Sequence, residues 1–560
     1  MKNLISFKLI LISLLFIGCQ EDFLEEPTSS IIDPETLLTS KTGAEVYTVG
    51  AYEATRNVIA SNWPGWLNIW GVIAVDEVVL PGWSTFKPIY LHTLSPSDNI
   101  IRTLWENMYV SLNRVNSVVD RVGAMTEDQI SVADRDKLVA EARFLRAIIN
   151  FGLVSSWENV PLMKNETVSL ENLEVGQSTP QEVYAFIEED LIFAKNNLEA
   201  TQGGGKATKG AAQALLGKVY LQMTGHPIND ASYFAKAENE LKGVIDSNVY
   251  SLVPYYPDIF TQDNEQNNEI IFSFGFDGPG MDQGGRIGTL YGPLGTSING
   301  GASGNNWYVN WELAGPATGP GNTGNWAKGK GGKPRNNHPF AQPYTDDDIR
   351  SRNNIVKTHV NRGYMNGAIW PDDAMFGSIR REWKGNWKPW KWHNIRPSNW
   401  GNDTPIDEAY IRYADVLLMY AEALNGQSKL TQADADMTVN ILRERARLFP
   451  DEVKDETLLP NLTVGTQQYN ADEILSERRK ELCFEGWRRN DLIRNGVYHE
   501  AINSSQPVWS NSGNPQPQYT PHEIRWPIPA SELQINPELV QNEGYNLSLI
   551  HISEPTRPQC

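Results

Sequence analysis

The stretch Ile474-Leu475-Ser476-Glu477-Arg478-Arg479-Lys480-Glu481-Leu482-Cys483-Phe484-Glu485-Gly486-Trp487-Arg488-Arg489-Asn490-Asp491-Leu492 carries more charge than an ordinary buried helix and more apolar bulk than an exposed one. Glu477, Glu481 and Glu485 recur at i, i+4 and i+8, which places them on one helical face, with Arg478, Arg479, Arg488 and Arg489 close by. Paired carboxylates can do acid/base work. Here the signs alternate at helical spacing, and that pattern points to a structural ion-pair network. Cys483 falls in the apolar stripe, where an inert buried thiol is expected.

Outward from this helix, three segments combine a helical period with small residues: Ala140 to Phe151, Ala211 to Tyr220 and Ala414 to Leu424. Each is followed by an amphipathic partner, Gln181 to Leu198, Ala231 to Ile245 and Thr431 to Leu448 respectively. Helix pairs of this kind cannot bury their faces singly and must stack. The expected fold class is mostly α, a tetratricopeptide-like helical repeat scaffold with inserted loops and short β-hairpins. Helical repeats are expected over about 40–250 and 407–495, interrupted by a loop-rich insertion at about 250–407 that is rich in Gly, Asn, Trp and Pro. Within it Glu269 to Phe274 reads as a strand. A similar loop patch runs from Ser61 to Pro96.

Composition narrows the function. Lys and Arg total 48 against 68 Asp and Glu, a net charge of −20, which excludes a nucleic-acid partner because phosphate binding needs a basic footprint. The 3 cysteines provide no disulfide framework, and the 8 histidines form no metal-binding spacing, so no cofactor or metal is expected. Asp346-Asp347-Asp348 with Arg350 reads as a capped turn, since adjacent side chains on an extended loop rarely converge on one ion.

The N-terminal residues address the compartment. Lys2 and Lys8 flank an apolar run from Leu4 to Ile17, too short to span a bilayer but suited to a signal peptide over residues 1–18. Phe16-Ile17-Gly18-Cys19 resembles a bacterial lipoprotein signal, with Cys19 as the lipidated residue. The acidic run after it resembles the surface-export signal of Bacteroidetes lipoproteins. At the other end, Leu547 to Arg557 resembles the translation of a sequencing adapter, so residues 547–560 are expected to be an artefact and residues 19–546 one continuous unit.

The helix quoted at the outset closely resembles the signature helix of the SusD/RagB outer-membrane lipoproteins. Ala140-Glu141-Ala142-Arg143-Phe144-Leu145-Arg146-Ala147 with Val160-Pro161-Leu162 is similar to a second marker of that family, and Arg412-Tyr413-Ala414-Asp415-Val416-Leu417-Leu418 to a third. Trp526-Pro527-Ile528-Pro529, Asn536-Pro537 and Gln541-Asn542-Glu543-Gly544-Tyr545 resemble its C-terminus. The resemblance implies a non-enzymatic, surface-exposed, glycan-binding lipoprotein that partners a SusC-type TonB-dependent transporter in the outer membrane. It also implies four helix pairs and a ligand face built from aromatics of an N-terminal loop and of mid-chain loops.

Tryptophan is the residue to follow, with 18 copies of which nine lie between Trp307 and Trp400. An indole stacks on the C–H face of a sugar while its N–H reaches a hydroxyl. The expected glycan contacts are Trp66, Trp83 and Tyr90 in the first patch and Trp307, Trp311 and Trp326 in the second, with Asp76 accepting from sugar hydroxyls. For Trp66 and Trp70, at i and i+4, packing of a helix is the competing reading, and Trp105, Trp392 and Trp487 are assigned to the core. From Trp326 to Trp400 there are 14 Lys and Arg against 6 Asp and Glu, which suits an anionic glycan, although an acidic rim of the transporter or a merely solvated face is the favoured reading. Two alternatives stand beside glycan capture. A surface glycoside hydrolase needs two carboxylates about 5 to 9.5 Å apart across a cleft. A repeat scaffold that binds only the transporter predicts no glycan binding.

Overall fold

The computed structural model describes residues 34–60, 65–73, 75–79, 85–169, 174–201, 203–277, 284–285, 308–309, 344–345, 347–356, 358–360, 380–382, 388–389, 391–392, 405–450, 453–454, 456–457, 459–504 and 519–545. The signal segment with Cys19 and the C-terminal segment 547–560 therefore lie outside the described residues.

The scaffold is a stack of antiparallel helix pairs. Helix α1 (Lys41–Ile59) is separated by the first loop patch, which holds the short α2 (Trp66–Gly71), from α3 (Asn99–Gly123). Then follow α4 (Val132–Trp157), α5 (Pro180–Asn197), α6 (Lys209–Met223) and α7 (Tyr233–Asp246). After the insertion come α8 (Tyr413–Gly426), then α9, which runs through Gln432–Ala435, a π turn at Asp436–Asn440 and Ile441–Ala446. Helices α10 (Gln467–Glu481) and α11 (Arg488–Arg494) complete the stack. The three expected pairs are α4/α5, α6/α7 and α8/α9, and α1/α3 supplies a fourth, tied by Tyr47 Oη donating to Ser117 and Ser111 Oγ donating to the Ala54 carbonyl.

Starts are set by side chains that take up orphan amides. Ser131, Thr208 and Thr466 each accept from the third residue of their helix, and Thr179 forms a reciprocal capping box with Glu182. Small residues on the inner faces allow close approach. A Cβ at Gly217 of α6 would lie 2.6 Å from the Leu241 side chain of α7. Although about 160 residues separate the second and third pairs in sequence, α8 packs directly on α7, so the stack is continuous in space.

The insertion leaves and re-enters at one place. Strand β1 (Ile270–Phe274) pairs antiparallel with β2 (Glu408–Arg412), zipping its two ends together. Among the described residues of the insertion are short antiparallel pairs, Ile355–Val356 with Lys388–Pro389 and Thr358–Val360 with Arg380–Glu382, which together form a nested hairpin as expected.

The core is unusually rich in indoles. Trp66 stacks on Trp70 at 6.4 Å, Trp70 meets Trp526 edge-on at 5.0 Å, and Trp526 meets Trp157 at 5.6 Å. Trp157 in turn meets Trp105 at 5.1 Å, while Trp487 lies edge-on to Trp66 at 6.1 Å. Four of these buried N–H groups donate to identified acceptors: Ser156 for Trp66, Asn490 for Trp70, the Pro527 carbonyl for Trp157 and the Tyr410 carbonyl for Trp487. Trp392 is also buried, as assigned.

Helix α2 reaches this core only because two backbones touch. A Cβ on Gly71 would fall 1.7 Å from the Gly486 carbonyl oxygen, and Gly486 itself has φ +87°. Gly71→Ala is therefore expected to destabilise the fold by about 2 kcal/mol or more, since no flexible side chain can give way. Urea unfolding checks this; a variant as stable as the parent contradicts the packing.

Candidate functional site

Three of the expected glycan contacts lie in the described residues, and the structure corrects all three. Trp66 is fully buried with its N–H bonded to Ser156, so the helix-packing reading holds. Tyr90 closes a short helical turn with its ring buried, and burial pushes its phenol well above the usual range. Asp76 is 1% exposed, and both carboxylate oxygens accept from Arg488, at 2.8 Å each, with Arg479 Nε at 3.1 Å. It has no room for a sugar hydroxyl. Trp83, Trp307, Trp311 and Trp326 lie outside the described residues.

What is described is how the loops that carry those tryptophans begin. Val78–Val79 pairs antiparallel with Tyr308–Val309, in the register Val78 to Val309 and Val79 to Tyr308. Tyr308–Val309 lies beside Lys388–Pro389, which pairs with Ile355–Val356. The N-terminal loop and two parts of the insertion, remote in sequence, are thus stitched together by two-residue strips of backbone.

Residues next to the strips reach the charge network of α10 and α11. Most of its acids and bases pair across elements and not one turn away as i, i+4 spacing suggested, with Asp491 and Arg494 of α11 the exception. Glu481 receives Arg350 at 3.1 Å, Arg412 at 3.2 Å and Arg445 at 2.7 Å. Glu477 receives Arg350 at 2.6 Å and Arg443 at 2.8 Å. Glu485 is held by both nitrogens of the Arg412 fork, at 2.9 and 2.7 Å, and by Lys391. Arg412 and Arg445 also share Glu269 of the β1 approach, at 2.6 Å each. The arginines of α10 turn elsewhere: Arg478 to Asp415 and Asp491, Arg479 to Asp76. Lys218 reaches Asp415 at 2.6 Å while sitting 3.5 Å over the Trp487 ring, and Arg489 stacks 4.0 Å over Trp70.

Glu477, Glu481 and Glu485 are all buried and engaged by cations, so this helix offers no pair of carboxylates to a cleft. Arg350 and Lys391, counted in the basic strip between Trp326 and Trp400, are buried in the network and unavailable to an anionic ligand. Asp348 is both the expected turn cap, accepting from the Arg350 amide at 3.0 Å, and an ion partner of the same guanidinium at 2.8 Å. Among the described residues no group of three His, Cys, Asp or Glu is arranged to hold a metal ion, and no helix is long and apolar enough to cross a membrane.

Sequence reasoning missed Glu77. Its Oε2 accepts from the Phe484 amide at 2.9 Å in the turn between α10 and α11, and its Oε1 has no hydrogen-bond partner among the described residues. The apolar flanks Val72, Ile73, Val75 and Val78 were the available signal that the Asp76-Glu77 pair is buried. Burial raises the Glu77 carboxyl to about 8; the Phe484 amide opposes this and Asp76 reinforces it. Burial also acts to raise Asp76, Glu477 and Glu481, but their arginines prevail and hold each at about 2.

The signs give opposite pH dependences. The stability contributed by Asp76, Glu477 and Glu481 is present above the ordinary carboxyl range and lost as pH falls toward about 2. That contributed by Glu77 is full below 4.5 and lost as pH rises through about 8. Glu77→Gln keeps the acceptor for Phe484 and removes the titration. Its unfolding free energy should vary less than the parent's between pH 5 and 8 and exceed it at pH 8, measured in urea; a variant less stable than the parent at pH 8 contradicts the assignment.

Comparison with known proteins gives a consistent result. Residues 268–545 match the model described as SusD family, and residues 22–221 match one described as starch-binding associating with outer membrane. A SusD-like protein, P25, of Formosa agariphila is 25% identical over 563 residues, covering 94% of this chain and 96% of the relative. The starch-binding protein SusD of Bacteroides thetaiotaomicron is 24% identical over 482 residues, covering 80% of each. Among solved structures, a SusD homolog from Bacteroides thetaiotaomicron superposes with a TM-score of 0.72 at 22% identity, covering 93% of this chain and 99% of the other.

Proposed function

Because this chain belongs to the SusD/RagB family of carbohydrate-binding proteins, we propose that it captures oligosaccharides at the outer face of the outer membrane and passes them to a SusC-type TonB-dependent transporter. The observation that carries the reading is the pairing of Val78–Val79 with Tyr308–Val309, which joins the stems of the two tryptophan-rich loops. Trp83 follows the first stem and Trp307 and Trp311 flank the second, with Trp326 further along. These are the residues assigned to stack on sugar rings, an interaction that needs a flat apolar face and tolerates hydroxyls at its edge. Binding here makes and breaks no bond. A diacyl or triacyl group on Cys19 holds the protein on the membrane, each buried CH₂ contributing about 0.8 kcal/mol.

A glycan array that includes starch oligosaccharides, followed by calorimetry on the strongest binder, tests this. Trp83→Ala and Trp307→Ala should each weaken binding about tenfold, or about 1.4 kcal/mol. Unchanged affinity in both variants removes the assignment, and shortened oligosaccharides after incubation with purified protein favour the hydrolase. In cells, Cys19→Ala should move the protein from the membrane to the soluble fraction; retention in the membrane rejects the lipid anchor.

A further inference from the structure

We propose that Asp76, Arg350 and Lys391 are positioning residues for the oligosaccharide site, each tying one loop stem to the single rigid plate formed by α10, α11 and the turn between them. The proposal rests on the glycan-binding reading above for its purpose, though not for its geometry. Asp76 stands two residues before the Val78–Val79 strip and is gripped by Arg479 and Arg488. Arg350 stands five residues before Ile355–Val356 and is held by Glu477 and Glu481. Lys391 stands two residues after Lys388–Pro389, and its ammonium donates to the Glu481 and Cys483 carbonyls, at 2.9 and 3.1 Å, as well as to Glu485. All three anchors are buried.

The strips need such anchors. Strands of two residues exchange one or two hydrogen bonds, and even a full isolated hairpin is marginal in water. Four such strips side by side cannot fix the spacing of long loops by themselves. The plate can, because its own charges are locked by partners from β2, α8 and α9, and the Arg412 and Arg445 partners are held in turn by Glu269. Fixing the stems before a ligand arrives lowers the ordering cost that binding must meet, which is how preorganisation raises affinity without adding a contact. Asp76 thus acts on the sugar through Val78 and Val79, and a neutral replacement leaves two arginines without their carboxylate.

The test compares the full protein with Asp76→Asn and with Arg146→Gln. The control breaks the equally buried Arg146–Asp190 pair of α4 and α5, away from every stem. Amide exchange of Val78, Val79, Tyr308 and Val309, read by mass spectrometry, should quicken at least tenfold in Asp76→Asn, and affinity for the oligosaccharide selected on the array should fall at least fivefold. Arg146→Gln, matched for loss of thermal stability, should leave both within twofold of the parent. Stem exchange no faster in Asp76→Asn than in the control overturns the proposal. If Asp76→Asn does not fold, Lys391→Met takes its place, with faster exchange expected at Val356 and Lys388 and unchanged exchange contradicting it. Should the parent bind no glycan, the functional reading fails, while the exchange data still decide whether the plate positions the stems.

Discussion

The carboxylate of Glu481, on the last turn of α10 and wholly buried, meets three guanidinium groups from three different parts of the chain. An isolated charge at such depth costs several kcal/mol, and removing one member of a buried pair leaves the other uncompensated. Arg350 belongs to the insertion, Arg412 to its returning strand β2, and Arg445 to α9 of the repeat. None can be displaced alone without stranding the others. The repeat scaffold and the insertion are therefore bound to one another by electrostatic necessity. This network contributes arrangement more than net stability, since well-packed apolar residues of similar volume would often serve stability as well.

From that constraint the division of the tryptophans follows. Trp66, Trp70, Trp105, Trp157, Trp487 and Trp526 form one buried cluster that meets the plate at Trp487, with Lys218 over the Trp487 ring and Arg489 over that of Trp70. Cations that would be costly in an aliphatic core are accommodated here by aromatic quadrupoles and by paired acids. In sequence, Trp83 follows the stem anchored through Asp76, and Trp307 and Trp311 flank the strip paired with that stem. The plate thus joins the buried indoles, through Trp487, to the anchors of the loop stems.

Much of the scaffold was legible because its signals are local. The helical period with small residues gave α4, α6 and α8, and their amphipathic partners gave α5, α7 and the α9 stretch, since both faces of a stacked helix leave a 3.6-residue trace. Glu269 to Phe274 read as a strand for the same reason. The network was legible only in kind. Sign alternation in α10 marked it as structural, but helical spacing suggested partners one turn away, whereas Arg479 finds Asp76 about 400 residues distant. No periodicity encodes such a pairing. Asp76, Tyr90 and Trp66 were misjudged for a related reason: residue type signals what a side chain can bind, while burial, which decides whether a ligand can reach it, is set by tertiary contacts such as the Gly71–Gly486 approach.

On the proposed reading, a buried charge plate holds the loop stems between which an oligosaccharide is bound. A crystal structure of the protein with the oligosaccharide chosen by array screening tests it most directly. The account predicts sugar density between the loop that follows Val79 and the loop around Tyr308, with Asp76 still clasped by Arg479 and Arg488 and making no contact with the ligand. Sugar bound elsewhere on the scaffold, or an Asp76 carboxylate turned from its arginines onto a sugar hydroxyl, would contradict it.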